Sequence, residues 1–387
     1  MFLFILRRLL IAIPILFLSS ILVFVLVVNA GDPLENLRSR PNSQQLIEQK
    51  TSAYHLDQPV VQRYLTWAKG FLQGDFGKDA TGQEVRPKLT RALWITMRLV
   101  IAAALIAVVL GITVGVVSAI RQYTLFDYGS TFLAFLFFAM PVFWFAVLLK
   151  EFGAIKLNNW LQHPGVSVIG GILVVAVCAG LASIIFNIGE KKSRRRGFIA
   201  AGCGAAFGLV LVGLLATWFA NHTFTRWVST IGPESPNFTG SIFARLGDYA
   251  GHMILPTITL AVISFATYSR FQRASMLDTL SSDYVRTARA KGLSNKRVVV
   301  RHAFRTALIP VVTLMAIDFG LLLGGAIITE TVFQWRGMGT LFYNSILRDI
   351  DVNTAMACLM VTAILVIVFN IIADIAYAYL DPRIRID

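Results

Sequence analysis

Charged side chains are scarce in this sequence. Only 14% of its 387 residues are Asp, Glu, Lys or Arg, whereas soluble domains carry about 25%. Apolar residues make up 56% of the chain, and the mean hydropathy is +0.68. Long apolar runs with so few charges exclude both a water-soluble domain and a disordered chain. The composition therefore predicts an all-α polytopic membrane protein.

Cysteine is rare, and the residue patterns of catalytic sites are missing. Cys178, Cys203 and Cys358 lie inside apolar runs without metal-ligand spacing, so we expect them to serve in packing. The sequence has no Gly-x-x-x-x-Gly-Lys-Ser/Thr phosphate loop and no histidine cluster. We therefore expect no enzyme activity, no metal and no cofactor in this chain. Its net charge of +14 is spread between apolar runs, which argues against a nucleic-acid partner.

Apolar runs long enough to cross a bilayer, which takes about 20 helical residues, recur along the chain. They number eight and cover about 9–29, 99–120, 129–149, 166–188, 198–219, 250–268, 307–328 and 354–379. Arg7 and Arg8 precede the first run, as in a signal peptide, but the run exceeds the roughly 15 residues of a signal core. We expect it to remain as a span. Lys and Arg are concentrated in alternate connections, which predicts that both termini are cytoplasmic.

The inside segment 283–310 has the pattern of a short helix followed by a second helix. Asp283 suits the first turn of a helix, where an acid is favourable. Gly292 is placed to end this helix, and Ser294 could cap the next one. Ala288 lies four residues before Gly292, which predicts a face of small residues on one side. Such a helix suits insertion into a groove of a partner protein.

This segment resembles the cytoplasmic coupling loop of ATP-binding-cassette (ABC) importer permeases, in particular the dipeptide/oligopeptide/nickel branch. Of the general Glu-Ala-Ala-x-x-x-Gly signature, only Ala288 and Gly292 match, but Arg-Thr-Ala-Arg-Ala-Lys-Gly at 286–292 is similar to the version in the peptide branch. The resemblance implies that the short helix docks in a cleft of an ATPase subunit. It assigns this coupling role to Asp283, Tyr284, Arg286, Thr287, Ala288, Lys291 and Gly292.

Further stretches resemble the same family, in the same order along the chain. They lie at 7–10, 31–33, 56–59, 74–77, 322–333 and 380–385, so the resemblance covers about 1–150 and 245–387. It implies a permease for di- and oligopeptides or similar small solutes, in the plasma (inner) membrane of a prokaryote. It also implies four kinds of partner, namely a different but homologous second permease, two ATPase subunits or domains that hold ATP and Mg²⁺, an external substrate-binding protein, and membrane lipid.

The family core has six spans, so the resemblance predicts an inserted two-helix hairpin at about 166–219. The hairpin carries a basic turn at 190–197 and a Gly-x-x-x-Gly pattern at 204–208. Its role is open between a peripheral, lipid-facing addition and a docking surface for a partner chain. The expected divisions are a first span at 1–29, an external loop region at 30–98, spans 2 and 3 at 99–149, the insertion with its flanking loops at 150–249, and a permease core at 250–387 with a coupling loop at about 270–306.

Acidic residues in or near the spans are the remaining candidates, because they are costly in hydrocarbon. Asp318 lies halfway along its span, where it could line the translocation path or form a buried structural pair. Glu330, at the outer end of the same span, could line an outer gate or mark the headgroup level. For Asp374 we expect a structural contact with a nearby arginine. The alternative function is a secondary transporter or channel, driven by an ion gradient, in which Asp318 and Asp374 relay ions.

Overall fold

A computed structural model describes residues 2–29, 31–34, 38, 43–162, 165–187, 194–220, 228–348 and 350–380. The described secondary structure is helical apart from a single bridge between Lys78 and Glu84. Residues 190–193 of the basic turn at 190–197, and 381–385 of the C-terminal motif at 380–385, lie outside the described residues. Contacts divide the chain into two compact units, 1–147 with 231–387, and 148–230.

The described helices of the first unit's N-terminal part are α1 (Phe2–Val28), α2 (Gln44–Tyr54), α3 (Val60–Leu72), α4 (Val85–Ile120) and α5 (Leu125–Ala139). After Pro141 follow α6 (Val142–Lys150), a π-helical turn (Glu151–Lys156), α7 (Leu157–Gln162), α8 (Val168–Asn187) and α9 (Arg194–Ala220).

The C-terminal part contains the longest helix of the described chain and the segment that resembles a coupling loop. Its helices are α10 (Ile242–Leu280), α11 (Asp283–Ala290), α12 (Asn295–Arg297), α13 (Phe304–Ala307), α14 (Ile309–Val332), α15 (Met338–Leu347) and α16 (Val352–Leu380), with a second π-helical turn at Val298–Ala303.

Five described helices are long and apolar enough to cross a membrane, or seven if each of two bent helix pairs forms one span. The prediction of eight spans is therefore supported only in part. The predicted span 129–149 is broken at Met140 and Pro141, where the chain turns by 106°, because proline cannot continue the helical hydrogen-bond ladder. In the predicted span 166–188, α8 runs from Val168 to Asn187, but its apolar stretch Val168–Ala182 is shorter than a full crossing.

Two helices extend well beyond the apolar runs that predict them. Helix α4 begins at Val85 instead of near residue 99, and α10 continues to Leu280, past the expected start of the coupling loop at 270. The added turns are polar or mixed, so hydropathy alone ended the predicted spans too early. The coupling segment consequently follows α10 after only a two-residue turn, Ser281 and Ser282.

The region expected as an external loop, 30–98, contains α2, α3 and the first turns of α4. Its fold is held by Asp79, which accepts hydrogen bonds from Thr81 and Gln83 and pairs with Lys88. Burial acts to raise the pKa of Asp79, but these donors together hold it below the ordinary aspartate value. The amide nitrogen of Ala80 also donates to Asp351, at 3.2 Å, which ties this region to the start of α16.

The centre of the first unit is the close contact between α4 and α10. Gly111 and Gly115 lie on the α4 side of this contact, and a Cβ atom at either position would come within 2.7 Å of atoms in α10. At Gly115 the atoms it would meet are Cβ of Gln272 and the carbonyl oxygen of Ser269. The Gly-x-x-x-Gly pattern at 111–115 therefore lets two backbones approach, as small residues do in membranes.

In the second unit, α8 and α9 pack against each other as a hairpin. Gly204 lies against the carbonyl oxygen of Cys178 and Cβ of Ala182, and Gly208 lies against Val175. The predicted small-residue pattern at 204–208 is thus used inside the hairpin.

Replacing Gly115 by alanine tests the contact between α4 and α10. The new methyl group has no room, so we expect Gly115→Ala to lower the free energy of unfolding by about 1–3 kcal/mol, as overpacking does, and to lower the Tm in detergent. The matched control is Gly129→Ala in α5, where no atom lies within 4 Å of the new Cβ. Helix propensity alone favours that alanine by about 1 kcal/mol. Equal Tm changes in both variants would contradict the proposed packing.

Candidate functional site

The segment that resembles a coupling loop begins with the two-turn helix α11. Ser282 is its N-cap residue and Asp283 lies in its first turn, as predicted. The helix ends where Gly292 adopts φ = +77°, and the Gly292 amide donates to the carbonyl of Arg289 at 2.9 Å. A left-handed glycine at this position is a common helix stop. The predicted glycine stop is therefore present, although the Ser294 side chain makes no capping hydrogen bond to α12.

Helix α11 has one buried face and one exposed face. Val285 is fully buried and Ala288 is 6% exposed. They belong to a cluster of buried apolar side chains that also comprises Ala119 of α4, Met276 of α10, Val298 and Ala303 of the second π-helical turn, and Ala307 of α13. Ala288 thus lies on the buried face and not on the exposed side with Gly292, and its small side chain allows α11 to lie directly on α4 and α10. Its predicted part in the coupling surface stays a prediction.

The other predicted coupling residues are exposed. They are Asp283, Tyr284, Arg286, Thr287, Lys291 and Gly292. The carboxylate of Asp283 lies 3.8 Å from a guanidinium nitrogen of Arg286, one turn away, and both side chains are open to solvent. This face is a compact, charged and aromatic surface at the end of a rigid apolar support.

A buried ion pair next to this support was not predicted from the sequence. Asp127, near the start of α5, accepts two hydrogen bonds from Arg273 of α10, at 2.7 and 2.9 Å. Asp127 also accepts hydrogen bonds from Ser118 and from the amide of Tyr123. These contacts join α5 to the ends of α4 and α10. The sequence near Asp127 offers one local signal, Thr124, whose side chain accepts a hydrogen bond from the Asp127 amide at the start of α5. It gives no sign of the partner, because Arg273 is 146 residues away.

The two candidate path residues have well-defined partners. Asp318 accepts a 2.7 Å hydrogen bond from the hydroxyl of Tyr268, whose side chain is buried. Glu330 is completely buried and accepts hydrogen bonds from the Thr96 hydroxyl, at 2.6 Å, and the Thr340 amide, at 2.8 Å. In this conformation Glu330 therefore faces no open path; it holds the turn after α14 against α4.

Asp374 forms the structural contact that we expected. Its two carboxylate oxygens lie 3.1 and 3.2 Å from the guanidinium of Arg8, which connects α16 to α1. Within the part of the chain that the structure describes, no group of three or more His, Cys, Asp or Glu residues could hold a metal ion.

Two family models match the chain and together span nearly all of it. The inner membrane component of binding-protein-dependent transport systems matches residues 111–386. The N-terminal part of the membrane component of such systems matches residues 1–114. The chain belongs to this family. It is thus a multi-pass permease of the bacterial inner membrane, and it is the membrane component of its transport system rather than the ATPase.

Curated relatives are similar over almost their whole length. The chain is 34% identical over 382 residues to the oligopeptide transport system permease protein OppB of Mycobacterium tuberculosis, covering 98% of both chains. It is 33% identical to the oligopeptide permease protein AppB of Bacillus subtilis over 99% of both chains. It is 31% identical to the dipeptide permease protein DppB of Escherichia coli over 99% of this chain and 98% of that one. The predicted family resemblance is confirmed.

The two faces of α11 are expected to respond differently to substitution. Val285→Asp would bury an unpaired carboxylate in the apolar support, and it should lower the Tm of the permease in detergent by several degrees or prevent its folding. Tyr284→Ala changes the neighbouring residue on the exposed face and should leave the Tm unchanged. If Tyr284→Ala lowered the Tm as much as Val285→Asp, the assignment of the buried and exposed faces of α11 would be contradicted.

Proposed function

We propose that this permease forms, with a second and different homologous permease, a path for di- and oligopeptides or similar small solutes into the cell. Two ATPase subunits or domains that bind ATP and Mg²⁺ would drive the transport, and an external binding protein would deliver the substrate. The substrate class rests on the three relatives, whose names specify oligopeptide or dipeptide transport. The inside orientation of α11 rests on the distribution of Lys and Arg.

The observation that carries the coupling mechanism is the division of α11 into two faces. Its exposed residues would occupy the cleft of an ATPase subunit. Its buried residues, Val285 and Ala288, lie on Ala119 of α4 and Met276 of α10. A displacement of α11 by the closing ATPase would therefore move the ends of α4 and α10 with it. The ion pair between Asp127 and Arg273 would extend this movement to α5.

We further propose a six-span core with both termini in the cytoplasm and the α8–α9 hairpin as an addition. The external region around α2 and α3 would receive the binding protein. Asp318 remains the candidate residue of the path, since it is only partly buried. Glu330 is better suited to anchoring the outer turn. The gradient-driven alternative loses its support, because the family is that of binding-protein-dependent systems and Asp374 is paired with Arg8.

A glycine substitution at the end of α11 tests the coupling. Gly292→Asp places a carboxylate on the exposed surface, where the residue has φ = +77° and no neighbour within 4 Å of a new Cβ. We expect substrate-stimulated ATP hydrolysis and peptide uptake to fall by about tenfold or more, as a lost coupling free energy would require. Both are measured in proteoliposomes that contain all subunits. The strain of a non-glycine residue at φ = +77° should lower the Tm of the permease only slightly, and by as much as in the control below.

The chain offers a matched control for this variant. Gly74 in the external region also has φ = +77° and no neighbour within 4 Å, so Gly74→Asp introduces the same strain and charge at the opposite end. Its ATP hydrolysis measured without the binding protein should stay at the wild-type level, because residue 74 is far from α11 in the proposed orientation. Wild-type ATP hydrolysis and peptide uptake in Gly292→Asp would argue against coupling through α11. So would an equal loss of ATP hydrolysis in both variants.

A further inference from the structure

A small cleft between α4, α5 and α10 lies beside the ion pair of Asp127 and Arg273. Its volume is about 140 Å³. It combines hydroxyl groups, one aromatic ring and two guanidinium groups, and the residues that matter here are Ser118, Ser130, Thr131, Phe135, Arg270 and Arg273.

Arg270 is the unusual side chain of this cleft. Its guanidinium carbon lies 4.1 Å from the ring centroid of Phe138 and 5.1 Å from that of Phe135. Its Nε donates to the carbonyl of Ala266 at 3.3 Å. Within the described ranges, no carboxylate forms an ion pair with it. A guanidinium that stacks on aromatic rings keeps its terminal N–H groups in the plane of its edge, where they can bind an anion.

The other charges of the cleft do not oppose an anion. Arg273 and Asp127 neutralise each other through two hydrogen bonds. The hydroxyls of Ser118 and Ser130 donate to the carboxylate and to the carbonyl of Asp127. Arg270 therefore supplies a net positive charge, and Thr131 adds a hydroxyl on the neighbouring helix.

The position of the cleft favours a lipid. Arg270 follows the predicted span 250–268 by two residues, which is the level of the cytoplasmic headgroups if the inside orientation is correct. The adjacent face of α5 is apolar and open, with Phe132, Phe135 and Phe138 each more than half exposed. Acyl chains can cover these rings while a phosphate lies at the guanidinium.

We propose that this cleft binds the phosphate of an anionic phospholipid from the inner leaflet. The edge of Arg270 and the hydroxyl of Thr131 hold the phosphate, and the phenylalanine rings of α5 contact the acyl chains. The bound lipid bridges α5 and α10 next to the Asp127–Arg273 pair. The site does not depend on the identity of the transported solute or on coupling through α11.

The test is native mass spectrometry of the transporter, purified with its partner subunits and titrated with phosphatidylglycerol or phosphatidylcholine. Arg270→Gln should weaken phosphatidylglycerol binding by roughly fivefold, the effect of one basic residue at an anionic surface, and leave phosphatidylcholine binding unchanged. Arg301→Gln is the control, because Arg301 is an exposed arginine elsewhere on the same predicted side. Thr131→Val is a second variant that keeps the aromatic stack and should also weaken binding.

Three results would overturn the proposal. One is equal phosphatidylglycerol binding by Arg270→Gln and the wild type. Another is a loss of phosphatidylglycerol binding in Arg301→Gln as large as that in Arg270→Gln, which would indicate a diffuse positive surface. The third is displacement of the lipid by millimolar inorganic phosphate, which would indicate an anion site that does not require a lipid. The proposal is supported if phosphatidylglycerol stays bound to the wild type in the presence of phosphate. Its binding must also be weakened in Arg270→Gln and unchanged in Arg301→Gln.

Discussion

The close approach of α4 and α10 is the contact on which the other features of the first unit depend. In hydrocarbon there is little hydrophobic drive to bring helices together, so shape and small residues determine which pairs pack. Gly111 and Gly115 remove the side chains that would keep these two backbones apart. The contact continues from Gly111 and Gly115 to the C-terminal ends of the two helices, where Ala119 of α4 and Met276 of α10 belong to one buried cluster. Helix α11 therefore packs directly on the ends of α4 and α10.

Polar contacts connect the α4–α10 pair to neighbouring elements at both of its ends. At one end, Asp127 and Arg273 attach α5 to α10 through two hydrogen bonds. At the other end, Glu330 joins the turn after α14 to Thr96 of α4. Gly337 lies against both of these side chains, so a Cβ atom at residue 337 would collide with them. Buried polar groups of this kind need specific partners, which makes the joints geometrically defined.

The parts of the structure that follow local rules could be predicted from the sequence. The short helix after Ser282 and its stop at Gly292 are such features, because capping and left-handed glycine conformations depend on a few adjacent residues. The polar first turns of α4 from Val85 could not be read from hydropathy. Nor could the inward face of Ala288 or the pairing of Asp127 with Arg273, because both depend on contacts between residues distant in sequence.

The most direct test of the account is cross-linking from the two faces of α11 in the assembled transporter. Cys178, Cys203 and Cys358 are first replaced by alanine, and a single cysteine is then introduced by Tyr284→Cys or Val285→Cys. With a short bifunctional maleimide and a cysteine in the cleft of the ATPase subunit, we predict a permease–ATPase product for Tyr284→Cys and none for Val285→Cys. No product from Tyr284→Cys in an active transporter, or equal products from both positions, would contradict coupling through the exposed face of α11.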